Sequence, residues 1–193
     1  MKEFVFAVDI DGVLRDLVKS CVDIYNENFN SNRTVESVTK YSMADSFPDV
    51  PEPQKWFFQD HSKEVFLDSE VIHKAKESID MLRELGNVII ITFQESYKNK
   101  LHTLEWLEKN KFNYDGLCFM KNKELLDADF LIDDNQEFLI NFLNKNESKC
   151  GILIDAPYNL KVNEKLYNKN LLKMKDLSSV AEFFNKNFKE YKV

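Results

Sequence analysis

The sequence predicts an α/β fold: a doubly wound parallel sheet of Rossmann-like form, with a small helical cap inserted after the first strand. Short apolar runs rich in β-branched residues alternate with longer segments of helical spacing, which is typical of a parallel sheet covered by helices on both faces. Residues 14–68 interrupt this alternation and are too many for one crossover helix. These observations favour one layered core with an insertion.

Five apolar runs are predicted to form the strands. They cover residues 4–8, 88–91, 116–120, 130–132 and 151–154. Apolar residues at helical spacing predict helices near 69–85, 101–107, 138–143 and 180–188. Ser69 stands where the first of these helices needs an N-cap, and Gly86 stands where a C-terminal glycine belongs. The lysine-rich stretch 161–175 is expected to be a solvated helix or loop face.

The interrupting segment is expected to form a separate helical cap. It contains Pro48, Pro51 and Pro53 and many aromatic residues. An insertion at this point overhangs the carboxyl edge of the sheet, where ligands bind in doubly wound folds. The predicted division is a core domain of residues 1–13 and 69–193, with residues 14–68 as the cap.

The composition argues against several classes of partner. The net charge is −7, whereas proteins that bind long nucleic acids are usually basic, because phosphate contacts supply most of their affinity. No run of about 18 apolar residues and no secretory signal is visible, so we expect a cytoplasmic protein with no membrane partner. Three widely spaced cysteines show no disulfide framework. A homodimer is possible, but no sequence feature supports one.

Two carboxylates follow the first predicted strand. Asp9 and Asp11 stand two residues apart, and Gly12 after them permits a tight turn. Carboxylates held so close together repel each other unless a cation lies near them. Oxygen ligands of this kind suit Mg²⁺, which proteins bind through one or two carboxylates together with substrate phosphate and water.

Other polar residues stand at the ends of later strands. Thr92 ends the second predicted strand, Asp133 and Asp134 end the fourth, and Lys123 lies ten residues before Asp133. The edge therefore collects carboxylates, a hydroxyl and an ammonium, the groups that phosphoryl transfer uses as nucleophile, acid/base, metal ligand and charge clamp. Each feature alone has an ordinary structural explanation, such as a helix N-cap, but their order and placement favour a single cleft.

These residues resemble the four ordered motifs of the haloacid dehalogenase-like hydrolases. The resemblance rests on VDIDGVL (8–14), IIIT (89–92), Lys123 and FLIDD (130–134), and it extends from residue 4 to about residue 159. In that family the first motif aspartate, Asp9 in this chain, is the nucleophile. The aspartate two residues later, Asp11 in this chain, is the acid/base of the phosphatases and is absent from the dehalogenases. The resemblance therefore implies a phosphatase with a cap after the first strand.

A closer resemblance is to the 5′(3′)-deoxyribonucleotidases. It is carried by VDIDGVLRD (8–16), the step from Lys123 to Asp133, ADFLIDD (128–134) and IDAPYN (154–159). Thr92-Phe93-Gln94 departs from the Thr-Ser-Pro of those enzymes, and Leu17 stands where they carry an aromatic cap residue. The resemblance implies a small phosphorylated substrate, a (deoxy)nucleoside monophosphate, with Gln94 as a replacement for the missing serine.

The resemblance also implies a role for each site residue. Asp9 attacks phosphorus and forms an aspartyl-phosphate, and Asp11 protonates the leaving oxygen and later deprotonates water. The implied ligands of Mg²⁺ are Asp9, the backbone carbonyl of Asp11, Asp134 as first choice, and Asp133. The implied phosphate-binding residues are Thr92, Lys123 and Gln94.

The cap is expected to select the leaving group. Aromatic faces stack nucleobases at roughly 1–3 kcal/mol each, and Tyr41 and Trp56 are candidates, although most aromatic residues of a small insertion form its own core. Arg15, just after the first motif, is a candidate for reaching the substrate, with plain surface exposure as the alternative.

Two other interpretations stay open. In the first, the chain is a phosphatase of the same fold that acts on a sugar phosphate or on 3′-phosphate ends of nucleic acid. The negative net charge argues against nucleic acid. In the second the chain is a non-catalytic domain that binds a nucleotide or a partner. The complete set of motif residues argues against that, since a binding module has no need to hold repelling carboxylates together.

Overall fold

The computed structural model describes residues 4–145, 147–166 and 169–188. Within these ranges one sheet is formed by the strands β1 (Phe4–Val8), β2 (Gly86–Thr92), β3 (Gly116–Phe119), β4 (Phe130–Asp133), β5 (Cys150–Ile154) and β6 (Leu171–Met174). Their order is β3-β2-β1-β4-β5-β6, and every neighbouring pair is parallel. The chain winds outward from β1 in both directions, so the predicted doubly wound parallel sheet is confirmed.

Helices connect the strands and build the insertion. They are α1 (Leu17–Phe29), α2 (Met43–Ser46), α3 (Pro53–Lys55), α4 (Ser62–Phe66), α5 (Ala75–Leu85), α6 (Tyr97–Lys109), α7 (Gln136–Lys145) and α8 (Leu177–Phe188). A π-helical turn (Trp56–Asp60) follows α3, and 3₁₀ turns lie at Val35–Ser37, Lys123–Leu125 and Glu164–Leu166. Among the described residues, no helix has both the length and the apolar composition needed to span a bilayer.

The sheet is buried on both faces because alternate residues of its strands point to opposite sides. In β1, Phe6 and Val8 belong to the hydrophobic cluster that contains residues of α5, α6 and α8. Ala7 between them belongs to the cluster on the other face, together with Leu131 and residues of α7. This two-sided burial explains why the strands appear in the sequence as continuous apolar runs.

The helix predicted to start near Ser69 starts instead at Ala75. Residues 70–72 are extended because they pair with the chain that leaves β1: Asp16 N donates to Glu70 O (3.0 Å) and Ile72 N to Leu14 O (2.8 Å). The Ser69 hydroxyl bonds to Ser20 Oγ (2.8 Å) and to a backbone carbonyl, so it does not cap a helix. Backbone pairing between distant segments thus outweighs the helical spacing of the apolar residues.

Gly86 differs from the expected helix-terminal glycine. Its φ is −157°, which is extended, and α5 runs directly into β2. A Cβ at this position would lie 2.4 Å from the carbonyl oxygen of Phe4. Glycine is needed because β1 approaches closely, not because the helix ends in a left-handed turn.

The lysine-rich stretch was expected to be a solvated helix or loop, and this prediction is wrong in part. Leu171–Met174 forms the edge strand β6, in which Gly151 of β5 pairs with Leu171 and Ile154 with Met174. Lys173 extends from this strand and forms an ion pair with Asp155 (3.1 Å). A strand of four residues with a neighbour on one side carries little periodicity, which is why it was missed.

The insertion forms its own hydrophobic cluster, apart from the two on the sheet. Its buried members are Leu17, Cys21, Val22, Ile24, Tyr25, Val38, Phe47, Val50, Phe57, Val65 and Phe66. Two linkers, residues 14–16 and 70–72, connect the insertion to the core. They run side by side, with an antiparallel bridge between Arg15 and Val71. This packing supports the predicted cap of residues 14–68, and the division itself stays a prediction. Residues 1–3, 146, 167–168 and 189–193 of the predicted core lie outside the described residues.

Candidate active site

The site lies at the carboxyl edge of the sheet, between β1 and β4, where the winding direction reverses and doubly wound folds bind ligands. Asp9 directly follows β1, and its N–H donates to Ile132 O of β4 (2.9 Å). Asp133 ends β4, and Asp134 follows it. One carboxylate oxygen from each of these three buried aspartates lies within 4.8 Å of the other two. Strand pairing therefore brings together residues more than 120 positions apart in the sequence.

Lys123 lies inside this carboxylate cluster. Its Nζ is 2.8 Å from Asp9 Oδ1 and 2.6 Å from Asp133 Oδ2, and the side chain is only 1% exposed. The ammonium also lies 4.5 Å from the centre of the Phe138 ring. Burial alone would lower the pKa of Lys123, but Asp133 and Asp9 together raise it above its ordinary value. Lys123 is therefore a permanent positive charge beside the predicted nucleophile.

One ammonium does not fully compensate the carboxylates. Burial raises the pKa of Asp9 to about 7, and Asp133 and Asp11 add to the rise, while Lys123 opposes it. The pKa of Asp134 is also raised by burial and then by Asp133 and Asp9. The ionised cluster therefore needs further positive charge for its stabilisation.

Asp133 and Asp134 face different surroundings. Asp133 is completely buried, with Oδ2 on Lys123 and Oδ1 accepting from Asn135 N (2.8 Å). Asp134 lines the cleft described below. This arrangement supports the preference for Asp134 over Asp133 as a direct metal ligand, which stays a prediction.

The loop after β5 holds Asp134 in place. The Tyr158 hydroxyl donates to Asp134 Oδ2, and Asn159 Nδ2 donates to the backbone carbonyls of Asp134 (2.8 Å) and Ile154 (2.7 Å). Sequence reasoning gave neither Tyr158 nor Asn159 a role. The available signal was the string IDAPYN, which contains both residues directly after a predicted strand.

The turn after β1 requires glycine at position 12. Gly12 has φ +83°, a left-handed conformation that costs other residues roughly 1–2 kcal/mol. A Cβ there would lie 1.9 Å from Asp134 Oδ2 and 3.3 Å from Tyr158 Oη. Because Asp134 packs directly on Gly12, a side chain at position 12 would displace this candidate metal ligand.

We expect Gly12→Ala to lower both stability and turnover. The methyl group strains the turn and displaces Asp134, and a displacement of about 1 Å in a catalytic site reduces rates by on the order of 100-fold. Melting temperature and phosphate release measure the two effects. Gly116→Ala is the matched control, because its added Cβ would meet only Ile89, at 3.6 Å. Equal losses of stability and turnover in Gly12→Ala and Gly116→Ala would contradict a specific need for glycine at position 12.

Two residues of the second motif also reach the site. Thr92 ends β2 and lines the cleft. Gln94 lines it too, but its buried amide is hydrogen-bonded to Thr103 Oγ1 (2.7 Å). In the orientation that satisfies every partner, the Gln94 oxygen accepts from Arg15 Nη2 (3.0 Å) and its nitrogen donates to Asn99 O (2.9 Å). The amide is thus engaged by protein groups, and phosphate binding by Gln94 stays a prediction.

Arg15 does not reach into the cleft, in contrast to the expectation. It is fully buried, and its Nε and Nη2 lie 2.8 Å and 2.7 Å from Asp11 Oδ1. Its guanidinium is also 5.1 Å from the ring centres of both Phe66 and Trp106. Arg15 is enclosed because the two linkers and α6 close over it, which the position of one residue after a motif does not reveal.

The two candidate aromatic residues of the cap differ in position, since Tyr41 lines the cleft and Trp56 does not. Tyr41 lines the cleft with 58% of its surface exposed, and its ring contacts that of Tyr158 edge-on (5.5 Å between centres). Trp56 does not line the cleft and packs instead against Phe57 (4.7 Å between centres) and Phe29 (5.7 Å). Trp56 therefore packs against the hydrophobic cluster of the insertion, and its role as a substrate contact stays a prediction.

A cleft of about 870 Å³ lies between the insertion and the sheet edge. Of the predicted site residues, those that line it are Asp9, Asp11, Tyr41, Thr92, Gln94, Lys123 and Asp134. Its aromatic lining consists of Tyr41, Phe58, Phe66, Phe93, Phe138 and Tyr158. The volume falls within the range of about 300–1,000 Å³ that is usual for small-molecule sites.

Two relatives match nearly the whole chain. A protein of Staphylococcus epidermidis (strain ATCC 12228 / FDA PCI 1200) named "Putative 5'(3')-deoxyribonucleotidase" is 25% identical over 189 residues, covering 93% of this chain and 94% of its own. "Putative nucleotidase YqfW" of Bacillus subtilis (strain 168) is 20% identical over 187 residues, covering 93% of each chain.

A solved structure with low sequence identity has a fold similar to that of this chain. The crystal structure of a "putative haloacid dehalogenase-like hydrolase" from Burkholderia xenovorans LB400 superposes with a TM-score of 0.66 at 11% identity and covers 100% of both chains. The family model described as "5' nucleotidase, deoxy (Pyrimidine), cytosolic type C protein" matches residues 3–184. The chain therefore belongs to this family of nucleotidases, and its fold is similar to that of the haloacid dehalogenase-like hydrolase.

Proposed function

We propose that the chain is a magnesium-dependent phosphomonoesterase that dephosphorylates (deoxy)nucleoside monophosphates through an aspartyl-phosphate on Asp9. The observation that carries the proposal is the cluster of Asp9, Asp133 and Asp134 around Lys123, at the floor of a cleft of nucleotide size. Family membership supplies the nucleotidase class. The metal, the covalent intermediate and the residue roles are the proposal.

The donor set fits a divalent cation. The site contains four carboxylates, on Asp9, Asp11, Asp133 and Asp134, and two cationic side chains, on Lys123 and Arg15, which leaves a formal charge of −2. All the acidic donors are oxygen atoms, which magnesium prefers. We propose that Asp9, Asp134 and the backbone carbonyl of Asp11 bind the ion directly. Asp133 contributes to the negative charge of the site without binding the ion. When bound, Mg²⁺ supplies positive charge next to the phosphoryl oxygens.

The proposed reaction has two displacements. A carboxylate oxygen of Asp9 attacks phosphorus, forming an acyl phosphate while the phosphorus–ester oxygen bond breaks, and Asp11 gives its proton to the departing alkoxide. Water then attacks phosphorus, and Asp11 takes back a proton from it. Inorganic phosphate leaves, and the carboxylate of Asp9 is restored.

The other residues stabilise charge and orient the substrate. We propose that Thr92 donates to a phosphoryl oxygen, since it lies at the same edge of the sheet. Lys123 stabilises the charge that develops on the phosphoryl group while it balances Asp9 and Asp133. Residues 14–68 act as the cap, and Tyr41 is the aromatic residue best placed to contact the leaving nucleoside, because it lines the cleft and is exposed.

A substrate panel with and without Mg²⁺ tests the proposal. Phosphate release is measured on deoxyribo- and ribonucleoside 5′- and 3′-monophosphates and on several sugar phosphates. We expect magnesium-dependent turnover that is highest on the nucleoside monophosphates and is lost on chelation. Preferred turnover of sugar phosphates would contradict the substrate class, and turnover that persists in excess chelator would contradict the metal.

A thermal-shift measurement tests the metal site without turnover. A ligand that binds only the folded state at about 100 times its Kd stabilises it by about 2.7 kcal/mol. We therefore expect saturating Mg²⁺ to raise the melting temperature of the wild type and to have a much smaller effect on Asp134→Asn. The matched control is Asp80→Asn, on an exposed position of α5, which should respond like the wild type. An equal shift in Asp134→Asn would exclude Asp134 as a ligand.

A further inference from the structure

We propose that Arg15 is a positioning residue for Asp11: its buried guanidinium fixes one carboxylate oxygen so that the other is presented to the leaving group. The inference rests on the proposed function, because it assigns Asp11 as the acid. It concerns a residue for which the sequence left substrate contact and surface exposure open, and which is completely buried in the structure.

The contact between the two side chains is one-sided. Arg15 Nε and Nη2 approach the same atom, Asp11 Oδ1, at 2.8 Å and 2.7 Å. Among the described residues, the side-chain hydrogen bond to Asp11 goes to Oδ1, and none goes to Oδ2. The Asp11 side chain lines the cleft and is 22% exposed. One oxygen is therefore anchored in the interior, and the second is free to exchange a proton with a bound substrate.

Arg15 is itself held from every side. Nη1 donates to the carbonyl of Phe66, where the cap returns to the core, and to Thr103 Oγ1 on α6 (3.2 Å). Nη2 also donates to Thr103 Oγ1 (3.2 Å) and lies 3.0 Å from the Gln94 oxygen in its satisfied orientation. The planar fork of guanidinium allows these contacts at once, which an ammonium does not. Asp11 is thereby oriented by a group that is anchored to the cap linker, α6 and the second motif.

This role predicts an effect that depends on the leaving group. General acid catalysis contributes about 10²–10⁴-fold when the leaving oxygen needs a proton. A nucleoside alkoxide is a poor leaving group and needs it, whereas p-nitrophenolate leaves without it. Because kcat/KM reports the steps up to the first irreversible one, it isolates phosphoryl transfer to Asp9 from the later attack of water. A residue that only stabilises the fold affects both substrates equally.

The test compares kcat/KM for a deoxynucleoside 5′-monophosphate and for p-nitrophenyl phosphate in Arg15→Met and Arg15→Lys. We expect the nucleotide value to fall about tenfold or more and the p-nitrophenyl phosphate value to change about threefold or less. The ratio of the two values does not depend on the fraction of folded enzyme. It therefore stays informative if loss of a buried charge lowers stability, and Arg15→Lys retains that charge.

Two controls complete the test. Arg83→Met removes the guanidinium that pairs with Asp115 (2.8 Å) away from the cleft, and it should leave the substrate ratio unchanged. Asp11→Asn should change the ratio in the same direction as Arg15→Met, and the double variant should change it no further, because both act on one proton transfer. Equal losses on both substrates in the Arg15 variants, or additive effects in the double variant, would overturn the inference. A wild type that hydrolyses no phosphomonoester would instead refute the proposed function.

Discussion

Asp9→Asn is expected to abolish turnover, by on the order of 10³-fold or more, because an amide has no anionic oxygen to attack phosphorus. The fold should survive, since asparagine has nearly the same shape and Lys123 keeps its ion pair with Asp133. Phosphate release and melting temperature measure the two properties. The matched control is Asp16→Asn, at the N-cap of α1, where asparagine caps as well as aspartate and turnover should persist. Residual activity within tenfold of the wild type would exclude Asp9 as the nucleophile.

The difference in stability between Asp9→Asn and the wild type should depend on pH in a defined direction. Burial raises the pKa of Asp9 from 3.8 to about 7 in the folded protein. The folded state therefore binds the Asp9 proton more tightly than the unfolded state, so that the contribution of Asp9 to stability is full at low pH and is lost between these two values. Asparagine has no such loss. Without added metal at pH 8, Asp9→Asn should be at least as stable as the wild type, and a clear destabilisation would contradict this assignment.

Sequence reasoning predicted the main features of the fold because parallel strands buried on both faces must be apolar along their whole length. The same logic predicted the position of the site, since polar residues directly after such runs lie at one edge of the sheet. Thus Asp9, Thr92 and Asp134 were predicted to lie together from their place in the chain, and all three line one cleft.

What sequence reasoning missed depends on contacts between distant segments. Ser69 has the residue type of an N-cap, but pairing of the two linkers keeps its neighbourhood extended. Trp56 has a stacking ring, but its packing against Phe29 and Phe57 depends on the fold of the insertion, which no local pattern reveals. Arg15 was misplaced for the same reason, because its burial requires α6.

The residues that orient the carboxylates were the least predictable. Tyr158 and Asn159 hold Asp134 from 24 and 25 residues away, and Thr103 contacts Arg15 from 88 residues away. Each of these side chains has an ordinary residue type at an ordinary position. Only the packing of the loop after β5 and of α6 against the sheet edge gives them a partner, so their roles follow from the tertiary structure.

Lys123→Met is expected to cause the largest combined loss of stability and activity. Lys123 forms buried ion pairs with Asp9 (2.8 Å) and Asp133 (2.6 Å), and removal of one member of such a pair destabilises a protein by about 3–5 kcal/mol. In a chain of this length that corresponds to a fall in melting temperature of roughly 10 °C. The matched control is Lys109→Met on the exposed surface of α6, which should change stability little.

The pH dependence of this loss identifies its cause. Without the ammonium, nothing opposes the repulsion of the Asp9 carboxylate by Asp133, so that protonation of Asp9 is favoured in the folded state. The stability deficit of Lys123→Met relative to the wild type should therefore be largest near pH 8 and should narrow as the pH falls toward 5. Saturating Mg²⁺ should also narrow it, because it supplies positive charge to the same cluster. A stability deficit that does not change with pH or Mg²⁺ would contradict this explanation. It would mean that Lys123 stabilises the fold through packing and not by balancing the charge of the carboxylates.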